Sequence, residues 1–190
     1  MKILLIDDNE QRAHAISDAL KGSEYRVTHI SSSGAFLLKL VEHNQPDMIV
    51  IDIESPDRDV LDSLHTLNQI NPKPIVLFTE NEDASVMKRS IKSGVSAYVT
   101  GNADLSRVRS IFDAACARFE EFQELKQALR STQDQLEAHK TIDQAKRLLM
   151  KKQNLDEESA YKAMRKMAMD SGQKLEQVSA NLLTILKNLP

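Results

Sequence analysis

Five short segments with a strand pattern alternate with helical patterns in the first hundred residues, and this alternation constrains the fold most strongly. An apolar run without a polar face is typical of a strand buried on both sides, as in a parallel sheet. Lys2–Asp7 is such a run, and the other predicted strands are Tyr25–Ile30, Asp47–Asp52, Ile75–Thr79 and Ala97–Thr100. Helical spacing follows over residues 10–21, 34–43, 58–70 and 82–93, with Phe36, Leu37, Leu40 and Val41 as the apolar face of the second helix. We therefore predict an α/β fold over residues 1–103, a five-stranded doubly wound parallel sheet covered by helices on both faces.

Polar side chains end three of these strands. Asp7 and Asp8 close the first strand, Asp52 the third and Thr79 the fourth. Ligands of open parallel sheets bind at the carboxyl ends of the strands, so we expect the four residues to converge on one crevice. Asp7, Asp8 and Asp52 would form the oxygen-rich site that a hard cation such as Mg²⁺ takes. Carboxylates at strand ends can also be solvated loop residues, but three at these relative positions beside Thr79 favour a site.

A long helix is predicted after residue 104, because neither Gly nor Pro occurs between Gly101 and Gly172. With Val108 as heptad position a, the a sites are Val108, Ala115, Phe122, Leu129 and Leu136, and the d sites are Ile111, Arg118, Leu125, Thr132 and His139. The a layer is apolar and the d layer is mixed. We predict a coiled-coil linker over residues 104–138 and a homodimer through residues 108–139. The alternative is a single amphipathic helix that packs on its own chain.

Residues 139–190 predict a small domain of three helices. One helix runs through Lys152, the second begins near Asp156 and ends at Ser171–Gly172, and the third covers residues 174–189. Tyr161, Met164, Met167 and Ala168 form a core-like stripe on the second helix, and we expect Met150, Met164 and Met167 to fill the core.

Basic residues are concentrated in this last segment. The whole chain has a net charge of −3, yet residues 136–190 carry ten Lys and Arg against seven Asp and Glu. This asymmetry favours a nucleic-acid partner for the tail, although charged helix faces are more often simply solvated. Structured RNA is bound through shape, phosphate contacts and stacking of loop bases. The candidate RNA contacts are Lys146, Arg147, Lys151, Arg165 and Lys166, with Tyr161 as a stacking platform.

The composition bounds the remaining function classes. A single cysteine, Cys116, excludes an intrachain disulfide, no run approaches a membrane span, and the N-terminus lacks a signal-peptide pattern. We therefore expect a cytoplasmic protein without membrane contact. No general base or substrate pocket is evident beside the acidic crevice, so we expect that the protein is not an enzyme.

The acidic crevice resembles the receiver domain of two-component response regulators, which has a flavodoxin-like fold. The resemblance implies that Asp52 is the phosphoacceptor, that Asp7, Asp8 and Asp52 hold Mg²⁺, and that Thr79 and the strand-five aromatic Tyr98 form the switch. Receivers normally carry a Lys three residues after that aromatic, where this chain has Gly101. A phosphoaspartate would lose one charge-assisted contact without that Lys. We therefore hypothesise that Asp52 is a weak or unused phosphoacceptor and that the domain binds a protein instead.

The tail resembles the ANTAR module, a small RNA-binding antiterminator domain. The resemblance rests on Ala145–Met150, on Ala160-Tyr161 and on Met164–Ala168, with Arg147 in place of the family Gly. It implies that the tail binds paired stem-loops in leader transcripts.

The loop Ser55–Asp59, with Gly94–Val99 and Ala117–Gln123, resembles the NasT group of nitrate/nitrite antiterminators. This second resemblance implies control by a nitrate/nitrite sensor protein. The competing hypotheses are a phosphorylation-activated antiterminator of another pathway and a DNA-binding regulator, for which no helix–turn–helix signature is present.

Overall fold

A computed structural model describes residues 1–32, 36–101 and 105–187 of the chain. The chain divides into two compact units, residues 1–123 and 124–190. Among the described residues, no helix is both long and apolar enough to cross a membrane. The predicted domain boundaries at residues 103 and 138 stay a prediction.

The first unit contains the predicted five-stranded parallel sheet. The strands are β1 (Lys2–Asp7), β2 (Arg26–Ile30), β3 (Met48–Asp52), β4 (Ile75–Thr79) and β5 (Ala97–Thr100). They pair in the order β2-β1-β3-β4-β5, with all neighbours parallel. The continuous apolar runs are explained by burial, because every residue of β3 and β4 is buried.

Helices α1 (Glu10–Ala19), α2 (Leu37–Asn44), α3 (Arg58–Ile70) and α4 (Ala84–Lys92) connect the strands. Three of them begin at a side chain that accepts backbone N–H bonds: Asn9 for α1, Asp57 for α3 and Asp83 for α4. Separate apolar clusters cover the two faces of the sheet. One contains Leu37, Val41 and Leu64, and the other contains Ala13, Ile16 and Phe112.

The prediction that Phe36 contributes to the apolar face of α2 is wrong. Phe36 precedes the helix in the left-handed conformation, with a φ of 64°, and its side chain is 73% exposed. Because the helix begins one residue later, the helical spacing that grouped Phe36 with Leu37 and Val41 does not extend to it. Lys39 Nζ lies 5.5 Å from the centroid of the Phe36 ring.

Helix α5 (Val108–Gln153) follows a 3₁₀ turn at Leu105–Arg107 and contains 46 residues, as the absence of Gly and Pro predicts. Its first turns are buried against the sheet through Val108, Phe112 and Ala115. Later heptad residues are exposed in the single chain, namely Phe122, Leu125, Leu129 and Leu136. The early part of the helix therefore packs in the core of its own unit, and the later apolar heptad residues are more than half exposed.

The second unit contains the end of α5 together with α6 (Glu157–Ser171) and α7 (Leu175–Lys187). Asp156 accepts a bond from the backbone N–H of Ser159 at the start of α6, and Gly172 ends it in the left-handed conformation, as predicted. The core is made of Ala145, Leu149, Ala160, Met164 and Leu186. The prediction that Met167 fills the core is wrong, because its side chain is 40% exposed.

Candidate functional site: an acidic crevice and a basic hairpin

The acidic crevice forms where the parallel register brings strand ends together. Asp7 of β1 pairs with Asp52 of β3, and Thr79 ends the neighbouring strand β4. All three side chains are buried, and Asp7 is completely inaccessible. Asp8 differs, because 70% of its side chain is exposed. The predicted convergence is therefore present, with Asp8 at its solvent edge.

The main partner of these carboxylates is Arg12, a residue that the sequence patterns did not single out. Arg12 Nε and Nη2 lie 3.1 and 2.8 Å from the two oxygens of Asp7. Nε also lies 2.8 Å from Asp52 Oδ2, and Nη2 lies 3.7 Å from Asp8 Oδ1. A guanidinium that bonds both oxygens of one carboxylate is a strong, directional contact. The crevice thus holds three carboxylates around one cation supplied by the chain.

The position of Arg12 in α1 explains how it reaches the crevice. Arg12 is in the first turn of α1, four residues after Asp8, and helical side chains lean toward the N-terminus of their helix. The Asn9 side chain, which accepts a bond from the Arg12 backbone N–H, fixes the beginning of α1. The spacing from Asp8 to Arg12 was the one signal in the sequence that could have revealed this contact.

Burial and the positive charge of Arg12 shift the pKa of Asp52 in opposite directions. Removal from water raises the pKa of the Asp52 carboxyl to about 6, the positive charge of Arg12 opposes this rise, and the nearby Asp7 and Asp8 add to it. The same carboxylates raise the pKa of Arg12, chiefly through its bond to Asp7. Arg12 therefore remains charged whenever it occupies the crevice.

The predicted ligand set for Mg²⁺ does not fit a metal ion in this arrangement. Both oxygens of Asp7 already accept bonds from Arg12, and Oδ1 also accepts a bond from the backbone N–H of Asn9. Oδ2 of Asp52 faces the same guanidinium. Across residues 1–32, 36–101 and 105–187, no three His, Cys, Asp or Glu side chains are grouped so that they could hold a metal. The oxygens assigned to the cation are present, but Arg12 engages them.

The predicted switch residues are both engaged by backbone carbonyls. Thr79 Oγ1 donates to the carbonyl of Glu54 over 2.7 Å and accepts a bond from the backbone N–H of Asn81. Tyr98 Oη donates to the carbonyl of Asn81 over 2.7 Å. Asn81 Nδ2 in turn donates to Ser55 Oγ. These bonds join the loop after β3 to the loop after β4.

Gly101 occupies the position where receivers carry lysine. Its φ is +73°, in the left-handed region, and its N–H donates to the carbonyl of Thr79. A Cβ atom at this position would have no neighbour within 4 Å, but the backbone conformation disfavours any residue other than glycine. The turn after β5 is therefore shaped for glycine rather than for lysine.

The basic hairpin consists of the last turns of α5 and the first ten residues of α6 (Glu157–Lys166). Lys146 Nζ lies 2.7 Å from Glu157 Oε1 and 3.1 Å from Asp143 Oδ1, so the first candidate RNA contact is paired with two carboxylates and connects α5 with α6. Arg147, Lys151, Arg165 and Lys166 are exposed, and none of them has a carboxylate within 4.0 Å among the described residues.

Spacing along each helix groups the exposed residues. Arg147 and Lys151 are four residues apart on α5, and Tyr161 and Arg165 are four apart on α6, so each pair lies on one helix face. Tyr161 is 43% exposed and is not part of the core cluster that Met164 joins. The hairpin therefore presents cations next to an accessible ring.

Two family models match the chain. The response regulator receiver domain matches residues 3–113, and the ANTAR domain matches residues 130–183. The receiver match covers the sheet and the beginning of α5, and the ANTAR match covers most of the second unit. The resemblances of the crevice to receivers and of the tail to the ANTAR module are confirmed.

Curated relatives and solved structures agree with this division. The transcriptional regulatory protein PdtaR of Mycobacterium tuberculosis is 24% identical over 97% of this chain and 90% of its own length. The nitrate regulatory protein of Klebsiella oxytoca is 45% identical over 65 residues, which are 34% of this chain and 16% of that protein. A CheY-like receiver from Methanospirillum hungatei aligns with 63% of this chain and 96% of its own length, at 19% identity and a TM-score of 0.54.

Proposed function

Because the chain belongs to the response regulator receiver family and carries an ANTAR domain, we propose that it is a signal-regulated RNA-binding protein that promotes transcription antitermination. The observation that carries this proposal is the ANTAR match over a hairpin whose cations and tyrosine face solvent. The target is a leader transcript with paired stem-loops. The protein acts on RNA in the cytoplasm and performs no catalysis of its own.

The exposed residues of the hairpin form the proposed RNA surface. Arg147, Lys151, Arg165 and Lys166 contact phosphates, and Tyr161 stacks on an unpaired loop base. Lys146 has a different part in this surface. Its ammonium group is held between Asp143 and Glu157, so it orients α5 and α6 and contributes less free charge to RNA.

The exposed heptad residues support a homodimer through the part of residues 108–139 that begins at Phe122. The prediction that the seam begins at Val108 is wrong, because Val108 and Ala115 are buried in the core of their own unit. Phe122, Leu125, Leu129 and Leu136 have the spacing of a coiled-coil seam and are each more than half exposed in one chain. A second copy of the same helix is complementary to this seam. Two copies bring two ANTAR domains to one transcript, which matches a target with two loops.

The nitrate/nitrite pathway is the proposed physiological setting. The short, 45% identical match to the nitrate regulatory protein of Klebsiella oxytoca supports it, together with the loop Ser55–Asp59. Arg58, the first residue of α3, has a side chain that is 90% exposed, so it is accessible to a partner. We propose that a nitrate/nitrite sensor protein binds the receiver and releases the regulator when the ligand is present.

A phosphorylation-activated antiterminator of another pathway is the second candidate. The buried Asp52 and the adjacent Thr79 favour it, because they occupy the positions of a phosphoacceptor and its switch. Acetyl phosphate treatment of the intact protein separates the two candidates. Stable modification of Asp52 that changes RNA affinity would support the phosphorylation mechanism over control by a sensor protein.

RNA selection from a randomised pool tests the proposed function. A pool of RNAs with two adjacent stem-loops and randomised loops is incubated with the full chain, and the bound fraction is sequenced. We expect enrichment of specific loop sequences and weaker binding when either loop is removed. Duplex DNA with the same stem sequences serves as the competitor. Equal retention of that DNA would instead indicate a DNA-binding regulator.

A further inference from the structure

The acidic crevice of this receiver contains a cation that belongs to the protein. Arg12 bonds both oxygens of Asp7 and approaches Asp52 Oδ2 to within 2.8 Å. These are the carboxylates that the receiver pattern assigns to a divalent metal ion. One guanidinium therefore bridges the ends of β1 and β3, where an ion would otherwise bridge them.

The local structure holds Arg12 in this position. Asn9 accepts bonds from the backbone N–H groups of Gln11 and Arg12, and its own N–H donates to Asp7 Oδ1. The residues that begin α1 and the carboxylate that receives the guanidinium are thus connected directly. Only about a third of the Arg12 side chain is exposed. The contact is built into the beginning of the helix, unlike a surface pair between two mobile side chains.

A divalent cation would have to displace this contact. Mg²⁺ requires near-octahedral oxygen ligands at short distances and gives up its waters reluctantly. It would need oxygens of Asp7 and Asp52 that now face Arg12, and the displaced guanidinium would lose its bidentate partner. Asp8, which is mostly exposed, is the remaining carboxylate at the edge of the crevice.

We propose that Arg12 is an intramolecular counter-ion that takes the place of the divalent metal and makes this receiver independent of Mg²⁺. The charge of Arg12 keeps Asp7 and Asp52 together in the folded domain, a role that a metal ion serves in the receiver pattern. Arg12, Asp7 and Asp52 all lie in the first unit, so this role of Arg12 does not depend on whether the second unit binds RNA.

Metal titration of the full chain tests this inference. Binding of Mg²⁺ is followed by calorimetry and binding of Mn²⁺ by the loss of the free-ion electron paramagnetic resonance signal, for the unmodified protein and for Arg12→Met. We expect no saturable binding at millimolar Mg²⁺ in the unmodified protein. In Arg12→Met we expect an increase in affinity of about tenfold to 100-fold, because a charge-assisted bidentate contact no longer competes.

Lys21→Met is the matched control, since Lys21 pairs with the exposed Asp18 near the end of α1. It removes one positive charge from the same region and should leave metal binding unchanged. Tight Mg²⁺ binding by the unmodified protein, or equal binding by Arg12→Met and the unmodified protein, would overturn the proposal.

A second measurement applies if Arg12→Met is too unstable to titrate. Removal of the guanidinium leaves Asp52 buried without its counter-ion, so the additional change Asp52→Asn should restore part of the lost stability. The urea midpoints of the unmodified protein, both single variants and Arg12→Met/Asp52→Asn give the coupling between the two residues. The proposal is supported if Asp52→Asn stabilises Arg12→Met more than it stabilises the unmodified protein, and additive effects of the two substitutions contradict it.

Discussion

The double variant Arg147→Gln/Arg165→Gln is expected to bind its selected two-stem-loop RNA about 10- to 100-fold more weakly than the unmodified protein at physiological salt. Both guanidinium groups are exposed and have no carboxylate partner within 4.0 Å among the described residues, so their charge is available to phosphate. For each phosphate contact that is lost, RNA binding releases about one counter-ion fewer. The slope of log affinity against log salt should therefore decrease by about 2. Fluorescence anisotropy at several salt concentrations measures both quantities.

A charge-matched variant distinguishes the loss of specific phosphate contacts from the effect of a lower net positive charge. Lys162 is paired with Glu158 and Lys174 with Glu176, so Lys162→Gln/Lys174→Gln removes two charges that are already compensated within the unit. This control should bind RNA nearly as well as the unmodified protein. Equal losses in the two double variants would show that net charge, and not the proposed surface, determines binding.

A second large effect is expected from the seam of α5. Leu125→Glu/Leu129→Glu places like charges at heptad positions d and a, where two copies would face each other. The molar mass in solution should decrease from twice the 21.4 kDa of the chain to that of a single chain. Because two linked modules bind one RNA more tightly than separate modules, affinity for the two-loop RNA should decrease by about 100-fold or more. Affinity for a single loop should not change.

Gln127→Glu/Ser131→Glu is the matched control for the seam. Both residues are exposed on the same helix but lie at the outer heptad positions f and c. They add the same charge without entering the seam, so mass and RNA affinity should be preserved. Light scattering on the unmodified protein and the two variants measures the mass. If Leu125→Glu/Leu129→Glu still forms a dimer, the proposed seam is wrong. The exposed heptad residues would then bind a different partner.

The sequence predicts the structure best at positions where a single physical rule determines the conformation or the burial of a residue. The buried strands β1, β3 and β4 have nearly continuous apolar runs, and parallel strands end at one edge, so the meeting of Asp7, Asp52 and Thr79 followed from the pattern. The environments of Phe36 and Met167 did not follow. Phe36 lies just outside α2 because of a backbone conformation that periodicity does not record, and the side chain of Met167 is 40% exposed although its spacing matches that of Met164.

The contents of the crevice could not be predicted from the sequence. Composition and spacing identify oxygens suitable for a metal, but they do not show which cation already contacts them. Arg12 in the first turn of α1 and Lys146 in the last turns of α5 are both held by carboxylates from another element as well as by their own neighbours in the chain. Such pairing depends on side-chain direction in three dimensions, which residue spacing restricts but does not determine.

Single-round transcription through a leader terminator tests whether the protein promotes antitermination through its basic hairpin. The template carries the selected two-stem-loop sequence, overlapping a terminator hairpin, and the fraction of full-length RNA is measured with purified RNA polymerase. We expect that the unmodified protein increases readthrough, that Lys162→Gln/Lys174→Gln also does so, and that Arg147→Gln/Arg165→Gln does not. If the unmodified protein binds this RNA but leaves readthrough unchanged, the antitermination account is contradicted.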